Sequence, residues 1–239
     1  MAKTILVTGA SSGIGRAIAI ACAKKGLQVV LTGRCIERLE DTRALMKKDE
    51  HIIIPADLTD NAQRQSLVEA LPPLDGVVHC AGIGSRVLSK MLELEDVRHV
   101  MNVNFEAPVL LQAELLREKK IAKEASIVFI ASAAATMPSV GNGIYSASKA
   151  AMIAYAKCLA LELAPRKIRV NCISPTMVWT DLALVGATEE QLHEAELSYP
   201  LKRYGQPEDI APMAVYLLSD EAKWVTGSNF ELTGGAQTL

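Results

Sequence analysis

The chain has 239 residues, 50% hydrophobic and 22% charged, with a formal net charge of -2, which suffices for a substantial core in one α/β domain or two small ones. The charge balance leaves no global attraction for nucleic acid or an anionic membrane. No run approaches ~18 uninterrupted apolar residues, and MAKTILVTGA passes straight into a strand pattern without a signal peptide's apolar stretch, so a soluble cytoplasmic protein is expected. Cys22, Cys35, Cys80, Cys158 and Cys172 are odd in number, widely spaced and mostly within apolar runs, which reads as buried reduced thiols and suggests neither a disulfide framework nor a zinc site.

The first element is a strand run, TILVT (4–8), followed by TGASSGIG with Gly9, Gly13 and Gly15 and then the helical run RAIAIACAKKG. Strand, glycine turn and helix start are the setting in which backbone N–H groups and the helix dipole meet a pyrophosphate. The spacing is G-x-x-x-G-x-G rather than G-x-G-x-x-G, and such glycines can also serve only a tight βα connection. The second strand, LQVVLT (27–32), leads into Gly33 and Arg34. That strand end is where a sheet of this kind meets the adenosine ribose, and an acidic residue there would accept from the 2′-hydroxyl of NAD. None is present; Gly33 leaves room, and Arg34 offers a guanidinium fork suited to a phosphate, so NADP(H) is favoured over NAD(H). The alternative is that Arg34 caps the strand or pairs with Glu37.

HIIIP (51–55), GVVHC (76–80), SIVFIAS (126–132), IRVNCIS (168–174) and NFELT (229–233) complete a set of seven strand runs. Most are continuously apolar, as strands covered on both faces are, and helical patterns separate them. This predicts a doubly wound parallel seven-stranded sheet with helices on both faces in a single domain, 1–239. The irregular segment 175–206, ahead of Pro207 at the first turn of a last helix, reads as an inserted substrate lid. The four histidines, 51, 79, 99 and 193, show no ligand spacing, so no metal site is expected.

Within YSASK, Tyr145 and Lys149 stand at i and i+4, on one face of a helix. They are either a core aromatic beside a solvated cation or two polar tips converging on one small volume. The second reading has a chemistry. A carbonyl that receives hydride becomes an alkoxide and needs a proton, while a free phenol, with a pKa of about 10, is a sluggish donor near neutrality. A cation at ~5 Å in an effective dielectric of ~20 stabilises the phenolate by roughly 3 kcal/mol.

Taken together, TGASSGIG, Asp57-Leu58 after the third strand, Ala81-Gly82 after the fourth, Asn104 in NVNF, Ser132 after the fifth and YSASK resemble the short-chain dehydrogenase/reductase family, in order and spacing, from Thr4 to Gly235. The resemblance implies a Rossmann-type fold in which Tyr145 is general acid and base and Lys149 also holds the nicotinamide ribose. It further implies that Ser132 orients the substrate oxygen and Asn104 supports a water-mediated proton relay. By the same resemblance Gly9, Ser11, Ser12, Gly13, Ile14 and Gly15 form the pyrophosphate loop, Asp57 and Leu58 face the adenine, and Ala81, Gly82, Pro175, Val178 and Thr180 line the rest of the cofactor site. Four features depart from the family's pattern: His79-Cys80 where Asn-Asn is common, Thr176 for a Gly, Pro212 inside the last helix, and Thr233 for an Asp. Ser12 stands where many NADP-preferring relatives carry a basic residue.

The helix ASKAAMIAYAKCLALELA is apolar around nearly its whole circumference, so it needs cover beyond the sheet; the family resemblance implies a homodimer or homotetramer through it and the helix before the fifth strand. Two basic groups, Arg117/Lys119/Lys120/Lys123 and Arg166/Lys167/Arg169, either attract an acidic acyl carrier protein or simply complement helix carboxyl ends. With PLKRYGQPEDIA, they resemble the family's carrier-dependent reductases, so a 3-oxoacyl group on acyl carrier protein is the favoured substrate. Hydroxysteroid, sugar-alcohol and other small secondary alcohols are the alternatives within this chemistry. A non-catalytic nucleotide-sensing protein is the alternative outside it.

Overall fold

The structure is a computed structural model that describes residues 3–46, 50–137, 139–185 and 188–236. Seven strands form one parallel sheet: β1 (Thr4–Thr8), β2 (Gln28–Thr32), β3 (Ile52–Ile53), β4 (Leu74–His79), β5 (Ile121–Ile130), β6 (Arg169–Pro175) and β7 (Asn229–Leu232), in the order β3-β2-β1-β4-β5-β6-β7. Between them run α1 (Gly13–Lys24), α2 (Ile36–Ala44), α3 (Asn61–Ala70), α4 (Leu94–Met101), α5 (Ala107–Arg117), α6 (Gly143–Leu163), α7 (Glu189–Glu196) and α8 (Pro207–Leu218).

The continuously apolar strands bury both faces, and alternation sorts each strand's side chains between two cores. Leu6, Val77, Ile127 and Val170 pack with α3, α5 and α6 on one face. Ile5, Val7, Val78, Val128 and Ile173 pack with α1, α2 and α8 on the other. The strand order reverses between β1 and β4, and a doubly wound sheet opens its binding crevice at the carboxyl ends of the strands beside such a reversal.

Four local features are not apparent from the sequence pattern. β3 keeps only Ile52–Ile53 of HIIIP, and β5 begins at Ile121, five residues early, with a register irregularity opposite Leu74/Gly76. Asn102–Glu106 forms a π-helical turn between α4 and α5. Pro212 lies inside α8, which nonetheless runs to Leu218.

Candidate active site

A cleft of about 1090 Å³ opens at the carboxyl ends of the strands, and every expected site residue except Asn104 lines it. Its nucleotide end is shaped by glycine. Gly9 has φ +64, and a Cβ there would lie 2.9 Å from the Ala81 backbone; a Cβ on Gly15 would collide with the Gly9 carbonyl oxygen. The loop thus folds back on itself where only hydrogen fits. Ser12 caps α1 without a side-chain bond, and the first turn of α1 has no acidic residue, so its amides and dipole face the cleft open to an anion. Asp57 Oδ1 accepts from the Thr59 amide at 2.9 Å and the Thr59 hydroxyl at 2.7 Å. Partial burial opposes ionisation of this carboxyl, yet the Thr59 bonds and nearby Arg34 hold it below the usual carboxylate range.

At the other end α6 carries Tyr145 and Lys149 into one corner. The Lys149 ammonium is buried, donates to the Ile130 carbonyl at 3.0 Å and lies 5.8 Å from the Tyr145 ring centroid. Ser132, at the end of β5, accepts from the Ala134 amide at 3.1 Å, while its hydroxyl reaches the Pro175 carbonyl only at 3.5 Å. Asn104 is buried beside this corner, and a Cβ on Gly82 would lie 3.2 Å from its Oδ1 and 3.4 Å from Lys149 Nζ. Its side chain accepts from the Ile83 amide at 2.8 Å and donates to the Ile83 carbonyl at 3.0 Å and to Ser148 Oγ at 3.2 Å. Ser148 in turn donates to the Tyr145 carbonyl at 2.7 Å. Asn104 lies within the π-helical turn, and such turns recur at functional sites.

The family model described as enoyl-(acyl carrier protein) reductase matches residues 9–237. The 3-oxoacyl-(acyl-carrier-protein) reductase of Rickettsia felis is 34% identical over 98% of this chain and 96% of its own length. The L-xylulose reductase of Caenorhabditis elegans is 32% identical over 98% of this chain and 95% of its own. The chain belongs to the short-chain dehydrogenase/reductase family. Solved structures agree. A short-chain dehydrogenase/reductase from Brucella melitensis superposes with a TM-score of 0.91 at 30% identity, covering 99% of this chain and 97% of that one. An actinorhodin polyketide ketoreductase variant crystallised with NADPH gives 0.90 at 29%, covering 98% and 97%. This chain is therefore an NAD(P)-dependent oxidoreductase.

Within that family frame, the departures at the end of β4 divide between core and cleft. His79 turns away from the cleft into the core, where it is 3% exposed, stacks on Phe129 at 4.6 Å between centroids and pairs with Gln112 Oε1 at 3.0 Å. Burial drives its imidazole down to about 4. Only Cys80 faces the cleft, because successive strand residues point to opposite sides, so of this pair of departures one thiol alone borders the site. The Thr8 hydroxyl supplies the tie between strand ends, accepting from the Cys80 and Ala81 amides at 2.9 and 3.1 Å. Thr176 keeps a strand-like link, its amide donating to the Leu232 carbonyl at 3.1 Å, and Thr233 leads into Gly234 and Gly235, both at positive φ.

The basic groups lie elsewhere than an approach surface for this chain's own cleft requires. They sit at the amino ends of β5 and β6, the opposite sheet edge. Lys120 donates to the Glu69 and Leu71 carbonyls, Arg166 to Ile121 and Arg169 to Ser219, and Lys167 pairs with Glu124 at 3.3 Å.

Sequence reasoning missed Thr8, Ser148 and the bonds that anchor the segment 175–206. Glu196 on α7 accepts from Trp179 Nε1 at 2.9 Å and the Tyr204 amide at 3.2 Å, and pairs with His193 at 2.9 Å. The His193 bond, then those from Trp179 and Tyr204, holds its carboxyl down at about 2. The signal available in sequence was a capping box, Thr188 to Gln191, that places α7. Thr180 sits on the same segment with its methyl against Gly13 and its hydroxyl donating to the Val178 carbonyl at 3.3 Å.

Proposed function

We propose that this protein reduces the 3-oxo group of an acyl chain carried as a thioester on acyl carrier protein, with NADPH as hydride source. The observation that carries the reading is the corner formed by Ser132, Tyr145 and buried Lys149 at the floor of a cleft whose outer lining combines apolar Met137, Leu182, Val185, Leu192 and Ala195 with polar Ser139, Asn142 and Gln191. An acyl chain would find apolar cover on the first group. Support from relatives is the carrier-dependent reductase of Rickettsia felis.

The nucleotide fits the residues present. A Cβ on Gly15 would fill the glycine cradle, the first turn of α1 is open to anions, and Arg34 lines the cleft without a hydrogen bond or ion pair among the described residues. Gly9, Ser11, Ser12, Gly13, Ile14 and Gly15 would hold the pyrophosphate, Asp57 and Leu58 would border the adenine, and Arg34 would hold the 2′-phosphate. Ala81, Gly82, Pro175, Val178 and Thr180 would line the remainder. When bound, the nicotinamide supplies the hydride. Lys149 spends one N–H on Ile130, leaving two for the ribose, and its fixed positive charge favours the phenolate that Tyr145 becomes on protonating the new alkoxide. The Ser132 hydroxyl, with only a 3.5 Å contact to Pro175, is free to donate to the substrate oxygen. Asn104 uses both amide hydrogens and one Oδ1 lone pair on Ile83 and Ser148, so it fixes the loop after β4 against α6, and it would support the water-mediated relay that carries the proton onward.

A second reading, reduction of the enoyl double bond, follows from the description of the matching family model. Within a cytoplasmic setting, consistent with five unpaired cysteines, we also assign self-association through α5 and α6. On α6 Leu161 is 78% exposed and Cys158 is exposed, and Leu110 on α5 is 43% exposed, an apolar face that a second copy would cover.

The test is a purified-enzyme panel of 3-oxoacyl, enoyl, steroid, sugar and small ketone substrates, each with NADPH and NADH. A kcat/KM highest for 3-oxoacyl thioester with NADPH is expected. Activity confined to another substrate class would replace the acyl reading, and a higher efficiency with NADH would replace the cofactor reading.

A further inference from the structure

Arg38 and Asp181 join two parts of the molecule that are 143 residues apart. Arg38 stands in the first turn of α2, directly beyond Arg34, and Asp181 follows Thr180 on the lid; Arg38 Nη2 donates to Asp181 Oδ2 at 2.8 Å. Both residues line the cleft, together with Arg34, Gly33, Ser11 and Gly13. Next to them the lid reaches the glycine loop, since a Cβ on Gly13 would lie 3.0 Å from the Thr180 methyl. The ion pair thus ties the lid to the corner of the cleft where the adenosine ribose is expected.

We infer that Arg38 is a second phosphate-binding residue, held by Asp181 until a 2′-phosphate displaces that carboxylate and unties the lid from α2. This rests on the NADPH reading of the cleft. The pair is weakly held: its side chains are 49% and 76% exposed, and exposed ion pairs contribute little. Its competitor is stronger, because a phosphate monoester carries about -1.5 to -2 near neutrality and offers three acceptor oxygens to a guanidinium fork. Side chains near a helix start lean toward its amino end, which directs Arg38 to the side of Arg34. Among the described residues Asp181 is the only hydrogen-bond and ion-pair partner of the Arg38 guanidinium, with Asp41 adding a further favourable field. Exchange is favoured over a three-body bridge because Asp181 retained on the same guanidinium would lie against a phosphate dianion, and like charges so placed repel.

The experiment measures dissociation constants by calorimetry for NADPH, NADH, adenosine 2′,5′-bisphosphate and 5′-AMP with wild type, Arg38→Gln and Asp181→Asn. Trp179, two residues from Asp181, is followed as lid reporter in a Trp224→Phe background, since Trp224 is 99% exposed and the chain has two tryptophans. Arg38→Gln is expected to weaken both 2′-phosphorylated ligands roughly tenfold or more, as loss of a charge-assisted contact does, leaving NADH and 5′-AMP within about twofold. Asp181→Asn is expected to act in the opposite direction, tightening the phosphorylated ligands about two- to fivefold. The bisphosphate, and not 5′-AMP, is expected to change Trp179 emission. Equal shifts for phosphorylated and unphosphorylated ligands, weaker NADPH binding in Asp181→Asn, or a Trp179 signal indifferent to the 2′-phosphate would each overturn the exchange while leaving NADPH preference intact. Tighter binding of NADH than NADPH by the wild type would overturn the cofactor reading and the exchange together.

Discussion

The two edges of the parallel sheet treat cations differently. At the amino edge Lys120 and Arg169 donate to carbonyls at the carboxyl ends of α3 and α8, and Arg166 to the start of β5. At the carboxyl edge Arg34 faces the cleft unbonded among the described residues, and Lys149 makes a single carbonyl bond. The cause is the direction of the chain. In a doubly wound sheet every helix ends near the amino edge, where orphan carbonyls consume positive charge, and begins near the carboxyl edge, where orphan amides already supply it. Lys120, Arg166 and Arg169 at the first edge are held by carbonyls, whereas Arg34 and Lys149 at the second keep donors for a ligand. The same contrast explains why a run of Lys and Arg in sequence is a poor guide to a docking surface.

Substitutions at the carboxyl edge should have the largest effects. On the proposed mechanism Tyr145→Phe removes the proton donor and keeps the ring, so turnover is expected to fall on the order of 10²–10⁴-fold with nucleotide affinity retained, measured by stopped-flow reduction and by calorimetry. Near-normal kcat would remove Tyr145 from the chemistry. Lys149→Met should lose turnover as well and, unlike the phenylalanine variant, weaken nucleotide binding.

Gly15→Ala tests whether the glycine loop is shaped by close approach. The added methyl meets the Gly9 carbonyl, and relieving such overpacking costs about 1–3 kcal/mol. Nucleotide affinity should drop at least about tenfold with a lower Tm, and an unchanged affinity would mean that the loop relaxes without reshaping the site.

In the middle of the sheet, His79 should make stability depend on pH. Its folded value is depressed to about 4, below the unfolded value of about 6.5, so the unfolded chain takes up the proton first. The contribution is intact above about pH 6.5 and is lost as the pH falls toward 4, amounting to on the order of 2 kcal/mol by pH 5. Urea titrations at pH 7.5 and 5 should show this loss in the wild type and not in His79→Asn. Parallel losses in both proteins would show that His79 is not proton-linked.

The smallest effect belongs to the amino edge. Lys123→Glu changes an exposed residue remote from the chain's own cleft, and KM for a small 3-oxoacyl thioester should stay within about twofold, as should KM for a carrier-linked one. A rise confined to the carrier-linked substrate would show that the basic edge of one subunit serves the cleft of another, and would sharpen the contrast between the edges into one between subunits.

The sequence by itself determined the seven strands, their parallel order of winding, the glycine cradle and the face shared by Tyr145 and Lys149, because these depend on neighbours a few residues apart: apolar runs, residues without a Cβ and helical spacing. It could not show that His79 points into the core while Cys80 points into the cleft, since the phase of a continuously apolar strand is set by what packs on each face. The π-helical turn at Asn104 and the contact of its side chain with Ile83 and Ser148 join three separate segments. The bond from Trp179 to Glu196 and the tie of Asp181 to Arg38 on α2 likewise join distant stretches. Hydrogen bonds of that range exist only once the helices are docked on the sheet, so tertiary structure alone decided which polar groups meet.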